Sequence, residues 1–83
     1  MARIIDSGEM NMVGRTVRRL RQERGMSQKT LSERLETLAV YICRGSVSRI
    51  EEGRRTVTDI ELHGLAQVLG VSVGELFRDE ERE

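Results

Sequence analysis

Apolar residues recur along the chain at spacings of three and four, which is the period of an amphipathic α-helix. The first stripe comprises Met10, Val13, Val17 and Leu20, and Gly25 follows it as a C-cap. The pattern predicts a first helix over this stripe, with residues 1–9 as a flexible N-terminal arm.

A second helix is predicted after the N-cap residue Ser27, with Leu31, Leu35 and Leu38 turned toward the core. The apolar segment 38–42 has two interpretations. It either extends this helix or forms an ordered, half-buried turn.

A third helix is predicted from Arg44 to Glu52, with Gly53 ending it. At about 100° per residue, its inward residues are Val47 and Ile50. Its outward residues are Gly45, Ser48, Arg49 and Glu52, and Glu51 falls at the edge of the buried face.

Two capping boxes open the last two predicted helices. Thr58 and Glu61 form the first, and Ser72 and Glu75 form the second. The core positions that follow are Leu62, Leu65, Ala66, Leu69, Leu76 and Phe77. The fold class is therefore predicted as all-α, a compact bundle of five helices over residues 10–78 with a charged tail at 79–83.

The composition narrows the classes of function. With one His and one Cys in 83 residues, a metal site or a nucleophilic triad can hardly be assembled. We therefore expect no enzyme activity, no metal and no cofactor. No apolar run approaches the roughly 20 residues that span a membrane, and no signal-peptide pattern opens the chain, so we expect a cytoplasmic protein.

The charge is neutral overall but unevenly distributed. Residues 1–55 carry twelve basic and seven acidic side chains, whereas residues 56–83 carry two basic and seven acidic ones. Thirteen of the fourteen cations are Arg, whose planar fork pairs bidentately with phosphate and guanine. The chain thus combines a basic half suited to nucleic acid with an acidic end.

Four segments, in their order along the chain, resemble the Xre/Cro-type, lambda-repressor-like helix-turn-helix family of transcriptional regulators. They are Leu20–Leu35 (LRQERGMSQKTLSERL), Ser46–Arg55 (SVSRIEEGRR), Thr58–Leu62 (TDIEL) and Leu69–Phe77 (LGVSVGELF). The resemblance covers roughly residues 13–77. It implies a five-helix fold whose third helix enters the major groove of DNA.

Carried over by position, the resemblance implies base-reading roles for Arg44, Gly45, Ser48 and Arg49. It implies phosphate contacts for Gln28, Lys29, Ser46, Arg54 and Arg55. It also implies a partly buried ion pair between Arg21 and Glu51. The expected partner is double-stranded DNA, bound by a homodimer on a two-fold operator.

The chain departs from the family pattern before the third helix. About five additional residues separate Leu35 from Ser46 relative to a short helix-turn-helix connection, and the usual Gly of the turn is absent. Gly45 has no side chain where a base-reading residue normally lies. We expect Tyr41 to pack half-buried in the lengthened turn, with a DNA contact as the less favoured alternative.

The leading interpretation is a sequence-specific transcriptional regulator, with repression by operator occupancy as the expected outcome. The alternative is a helix-turn-helix module that binds protein, such as the antitoxin component of a toxin–antitoxin pair. A continuously basic third-helix face favours DNA. Interruption of that face by Glu51 and Glu52, with apolar surface exposed elsewhere, favours a protein partner.

Overall fold

The computed structural model describes the backbone of residues 8–81 and the side chains of residues 8–77. This part of the chain forms four α-helices and a final 3-10 helix. They are α1 (Gly14–Glu23), α2 (Gln28–Glu36), α3 (Arg44–Glu51), α4 (Asp59–Leu69) and the 3-10 helix Val73–Glu81. The all-α prediction is confirmed. Residues 1–7 of the predicted arm lie outside the described residues.

Helices α1, α2, α3 and α4 pack around one apolar core, with α3 lying against both α1 and α2. The buried apolar residues are Val13, Val17, Leu20, Met26, Leu31, Leu35, Val40, Ile42, Val47, Ile50, Leu65, Ala66, Leu69 and Leu76. Leu62 and Phe77 are partly buried against them. None of the helices in the described residues is long and apolar enough to cross a membrane.

The first helix begins later than its apolar stripe. Asn11 Oδ1 accepts hydrogen bonds from the backbone N–H groups of Val13 (3.0 Å) and Gly14 (2.8 Å), which ties down the start of α1. Met10 lies before the helix, where its N–H donates to the Gly53 carbonyl at 2.8 Å. Its side chain is 52% exposed, so the prediction that Met10 belongs to the buried stripe was wrong.

The segment 37–43 forms an ordered turn, which decides between the two interpretations of residues 38–42. Ala39 adopts the left-handed conformation (φ 61°) in place of the missing Gly, and the Val40 N–H then donates to the Leu35 carbonyl at 3.0 Å. Leu38 is 42% exposed beyond the end of α2, so its predicted core position was wrong.

Inside this turn the side chains alternate between core and solvent. Val40 and Ile42 are buried, whereas Tyr41 between them is 75% exposed. The expectation of a half-buried Tyr41 was therefore wrong, because residues 40–42 lie outside both helices and the core takes up Val40 and Ile42 on either side of Tyr41. Gly64 of α4 makes room for this arrangement, since a Cβ there would lie 2.9 Å from Val40 Cγ2.

Both predicted capping boxes form. The Glu61 N–H donates to Thr58 Oγ1 at 3.1 Å, and the Thr58 N–H donates to the Glu61 carboxylate at 3.0 Å. Ser72 and Glu75 make the same reciprocal pair. The helix opened by Ser72 is a 3-10 helix over Val73–Glu81.

Candidate nucleic-acid interface

Helix α3 presents one polar face to solvent and one apolar face to the core. Arg44, Gly45 and Arg49 are exposed and Ser48 is half-buried, whereas Val47 and Ile50 are each only 1% exposed. The structure therefore brings the four residues expected to read bases onto a single accessible surface. Arg44 makes no hydrogen bond or ion pair with another described residue, so its guanidinium is available to a partner.

The N-terminus of α3 carries no side-chain cap. Cys43 is the N-cap residue in an extended conformation (ψ 164°), and it makes no capping hydrogen bond. The Cys43 thiol lies 3.5 Å from Ser46 Oγ, and this hydrogen bond lowers the pKa of Cys43. Ser46 Oγ also accepts from Arg49 Nη2 at 3.0 Å. The uncapped N–H groups and the helix dipole make this end of α3 favourable for a phosphate.

The C-terminal end of α3 is held by a buried ion pair. Arg21 of α1 donates to both carboxylate oxygens of Glu51, at 2.6 Å from Nε and 3.0 Å from Nη2. The two side chains are 10% and 2% exposed. Arg21 Nη1 also donates to the Met26 carbonyl at 2.7 Å. The ion pair that the resemblance implies is thus bidentate and almost dry.

Two predicted phosphate contacts lie at the start of α2. Lys29 is exposed and makes no hydrogen bond or ion pair with another described residue. Gln28 is half-buried, and its Nε2 donates to Glu51 Oε1 at 3.1 Å. Gln28 therefore connects α2 to the Arg21–Glu51 pair, and its phosphate contact stays a prediction.

The two arginines after α3 have different environments. Arg54 is 73% exposed and lies 3.4 Å from an exposed Glu52 carboxylate oxygen. Arg55 donates to both carboxylate oxygens of Glu61 at 3.0 and 2.9 Å, which lowers the pKa of Glu61. Arg54 can turn to a phosphate at little cost, whereas Arg55 would first have to leave Glu61. The phosphate contact of Arg55 stays a prediction.

Two residues that position α3 were not predicted from the sequence. Asn11 Nδ2 donates to the carbonyls of Ile50 (3.0 Å) and Arg55 (2.8 Å), which joins the start of α1 to the end of α3. Gly14 lies so close to Ile50 that a Cβ would overlap its carbonyl oxygen. The signal available was a polar Asn at a capping distance before Gly14, hidden within the apolar stripe.

The acidic residues at the end of α3 do not interrupt the surface formed by Arg44, Gly45, Ser48 and Arg49. Glu51 is buried with Arg21, and Glu52 lies at the far end of the helix beside Arg54. Apolar side chains are also exposed, among them Met10, Leu38 and Ile60. No three His, Cys, Asp or Glu residues converge as a metal site within the described part of the chain.

Comparison with known proteins identifies the family. Residues 13–78 match the family model of a helix-turn-helix domain. The chain belongs to that family. In this helix-turn-helix chain, α2 and α3 are the two motif helices and residues 37–43 form the turn. It is 42% identical over 65 residues to the "Uncharacterized HTH-type transcriptional regulator y4dJ" of Sinorhizobium fredii (strain NBRC 101917 / NGR234), and the match covers 78% of each chain.

Two solved structures share the fold of this helix-turn-helix chain. The restriction-modification controller protein C.AhdI from Aeromonas hydrophila is 32% identical with a TM-score of 0.69, over 78% of this chain and 87% of that one. The DNA-binding domain of BldD is 29% identical with a TM-score of 0.67, over 87% of this chain and 97% of that one.

Proposed function

We propose that this helix-turn-helix chain is a sequence-specific regulator of transcription that inserts α3 into the major groove of DNA. The observation that carries the proposal is the arrangement of α3. Arg44 at its first residue and Arg49 in its last turn are both exposed, and Glu51 at its C-terminal end is fixed by buried contacts. The names of the relatives, a transcriptional regulator, a controller protein and a DNA-binding domain, support the same function.

In this proposal, different side chains read the bases and contact the DNA backbone. Arg44 and Arg49 reach base edges, for which guanine is the natural target. Gly45 contributes no side chain, so the two arginines supply most of the discrimination, with Ser48 beside them. Gln28, Lys29, Ser46, Arg54 and Arg55 contact phosphates and position α3.

The test begins with selection of a preferred operator from random duplex DNA. Fluorescence anisotropy at one fixed salt concentration then compares variants on operator and random duplex. Arg44→Ala or Arg49→Ala is expected to cost about 1–3 kcal/mol on the operator and much less on random DNA. Arg54→Ala is expected to weaken both by similar factors. Equal losses of affinity on both duplexes for all three variants would show that α3 does not read the bases.

The salt dependence tests the phosphate contacts independently. Although the net charge is zero, the three cationic phosphate contacts, Lys29, Arg54 and Arg55, predict a log–log slope of about −3 per bound chain for affinity against salt concentration. Tight binding with a slope near zero would contradict docking on phosphates.

We further propose that the chain acts in the cytoplasm as a homodimer whose occupancy of a two-fold operator represses transcription. The supporting surface is an apolar groove of about 270 Å³ whose lining includes Met10, Met12, Val57, Leu62 and Phe77. Val57, Leu62 and Phe77 belong to the acidic region 56–83, which the DNA phosphates would repel.

Sedimentation equilibrium tests the dimer. Met10→Asp places a charge in the groove and is expected to shift the chain to monomer and to weaken binding to the full operator. Leu38→Asp is the matched control, because Leu38 is similarly exposed but lies outside this groove. An unsubstituted chain that stays monomeric on its operator would contradict the proposal.

A further inference from the structure

Tyr41 is an exposed aromatic ring held in a rigid turn. Its neighbours Val40 and Ile42 are 8% and 2% exposed, and each fixes the backbone beside the ring. The Val40 N–H donates to the Leu35 carbonyl at 3.0 Å, and the Ser32 hydroxyl donates to the Ile42 carbonyl at 2.6 Å. With both neighbours in the core, the ring points outward, and Tyr41 is 75% exposed.

The ring stands where the two motif helices meet. A groove of about 410 Å³ is lined by Tyr41 together with Ser32 of α2 and Cys43 and Ser46 at the start of α3. Ser32 lies one helical turn after Gln28, on the side of α2 that faces the DNA backbone if the proposed function holds. Tyr41 therefore lies beside the expected phosphate contacts.

We propose that Tyr41 is a further DNA contact, in which the ring packs against a deoxyribose and the hydroxyl donates a hydrogen bond to a phosphate oxygen. This inference rests on the proposed function. The contact is to the backbone because the ring shares its groove with Ser32 of α2, the helix that crosses the backbone in this motif. Tyrosine hydroxyls are among the side-chain groups that contact phosphates.

A carboxylate in the same groove allows a second prediction, which includes the direction of the change in DNA affinity. Glu36, the last residue of α2, also lines the groove and is exposed. A phosphate bound near Tyr41 would be repelled by this charge. Glu36→Gln is therefore expected to tighten binding by about two- to threefold on every duplex, the size expected for one exposed charge.

The decisive substitution is Tyr41→Phe, which removes one oxygen and keeps the ring. We expect it to weaken binding to the selected operator and to random duplex alike, by about two- to tenfold, the value of one hydrogen bond. The salt slope is expected to stay unchanged, because a neutral donor releases no counterion. Arg54→Ala is the matched control, since loss of a cationic contact reduces the slope by about one.

The ring can also be observed directly. The chain contains one Tyr and no Trp, so 3-fluorotyrosine incorporation labels this position alone. Addition of operator duplex is expected to shift the ¹⁹F resonance. An unshifted resonance, with Tyr41→Phe binding as tightly as the unsubstituted chain, would overturn the Tyr41 contact while leaving the proposed function intact. Failure of the unsubstituted chain to bind any selected duplex would overturn both.

Discussion

The two ends of helix α3 are built in opposite ways. At the C-terminal end, Glu51 is enclosed by Arg21 and Gln28, and the Ile50 carbonyl accepts from Asn11. At the N-terminal end, Arg44 and its neighbours are exposed, no side chain caps the helix, and Ala39 of the preceding turn has a positive φ. The residues that hold α3 thus lie at its C-terminal end, whereas Arg44, which is proposed to read DNA, lies at its N-terminal end.

The separation follows from what each task requires. Buried, fully paired polar groups fix a position, because leaving one partner unpaired is costly. A side chain that recognises DNA must stay solvated and free of buried partners until the ligand arrives. Substitutions of the buried residues at the C-terminal end should therefore lower the free energy of unfolding, whereas no substitution at the N-terminal end should lower it by a comparable amount.

The largest effect is expected from Glu51→Ala. Removing this carboxylate leaves the Arg21 guanidinium buried without its partner, so the free energy of unfolding should fall by about 3–5 kcal/mol. Glu23→Ala is the control, because it removes an exposed i,i+4 partner of Arg19 and should cost less than about 0.5 kcal/mol. Urea denaturation measures both, and a loss below about 0.5 kcal/mol for Glu51→Ala would mean that the pair is solvated.

A comparable effect is expected from Gly14→Ala, because the new Cβ would overlap the Ile50 carbonyl oxygen and push α1 away from α3. We expect a loss of about 3 kcal/mol, the upper end for overpacking. Gly45→Ala is the matched helix substitution at the other end, where the nearest atom to the new Cβ is Arg49 Nη1 at 3.7 Å. It should raise stability by about 0.5–1 kcal/mol through helix propensity. Equal shifts of the thermal unfolding midpoint for both variants would contradict the proposed difference between the two ends of α3.

A smaller, pH-dependent effect is expected from the Arg55–Glu61 pair. Hydrogen bonds from Arg55 lower the pKa of Glu61 below its ordinary value of 4.5. The pair therefore stabilises the fold above pH 4.5, and this contribution is lost as the pH falls through the lowered pKa. Glu61→Gln should cost less than about 1 kcal/mol at pH 7 and should reduce the loss of stability on acidification. Denaturation curves from pH 7 to pH 3 that stay parallel for the two proteins would contradict this assignment.

The smallest effect is expected from Ala39→Gly at the N-terminal side of α3. A left-handed Ala costs about 1–2 kcal/mol, and the added chain entropy of Gly offsets part of the gain. The net result should be about 0.5 kcal/mol of added stability, measured as a higher urea midpoint at unchanged slope. A lower midpoint would indicate that the Ala39 methyl contributes more to the turn than its backbone conformation costs.

Most of the helices could be predicted from the sequence because their signals are local. Ser27 and the Thr58–Glu61 capping box mark helix starts, and the apolar period marks the buried faces. The errors arose where tertiary contacts override the pattern. Met10 continues the stripe of α1 in sequence, yet its backbone pairs with Gly53, more than forty residues away.

The placement of the residues proposed to contact DNA was predictable to the same extent. The outward face of α3 follows from helical geometry, but Asn11 could not be assigned from spacing, because its partners Ile50 and Arg55 come from a distant part of the chain. Tyr41 was misplaced for a related reason. The turn 37–43 leaves the helical conformation at Ala39, and the alternation of buried and exposed residues that follows depends on space provided by Gly64.

Because the C-terminal end of α3 is fixed, a rotation of this helix would be centred on Glu51. The helix has eight residues and is therefore about 12 Å long. A rotation of about 10° around Glu51 would move Arg44 by roughly 2 Å, enough to break a hydrogen bond to a base edge. Insertions and deletions in the turn 37–43 would then change the direction in which α3 points, while Glu51 stays in place. The length of this turn is therefore a means by which DNA preference can diverge without loss of the fold.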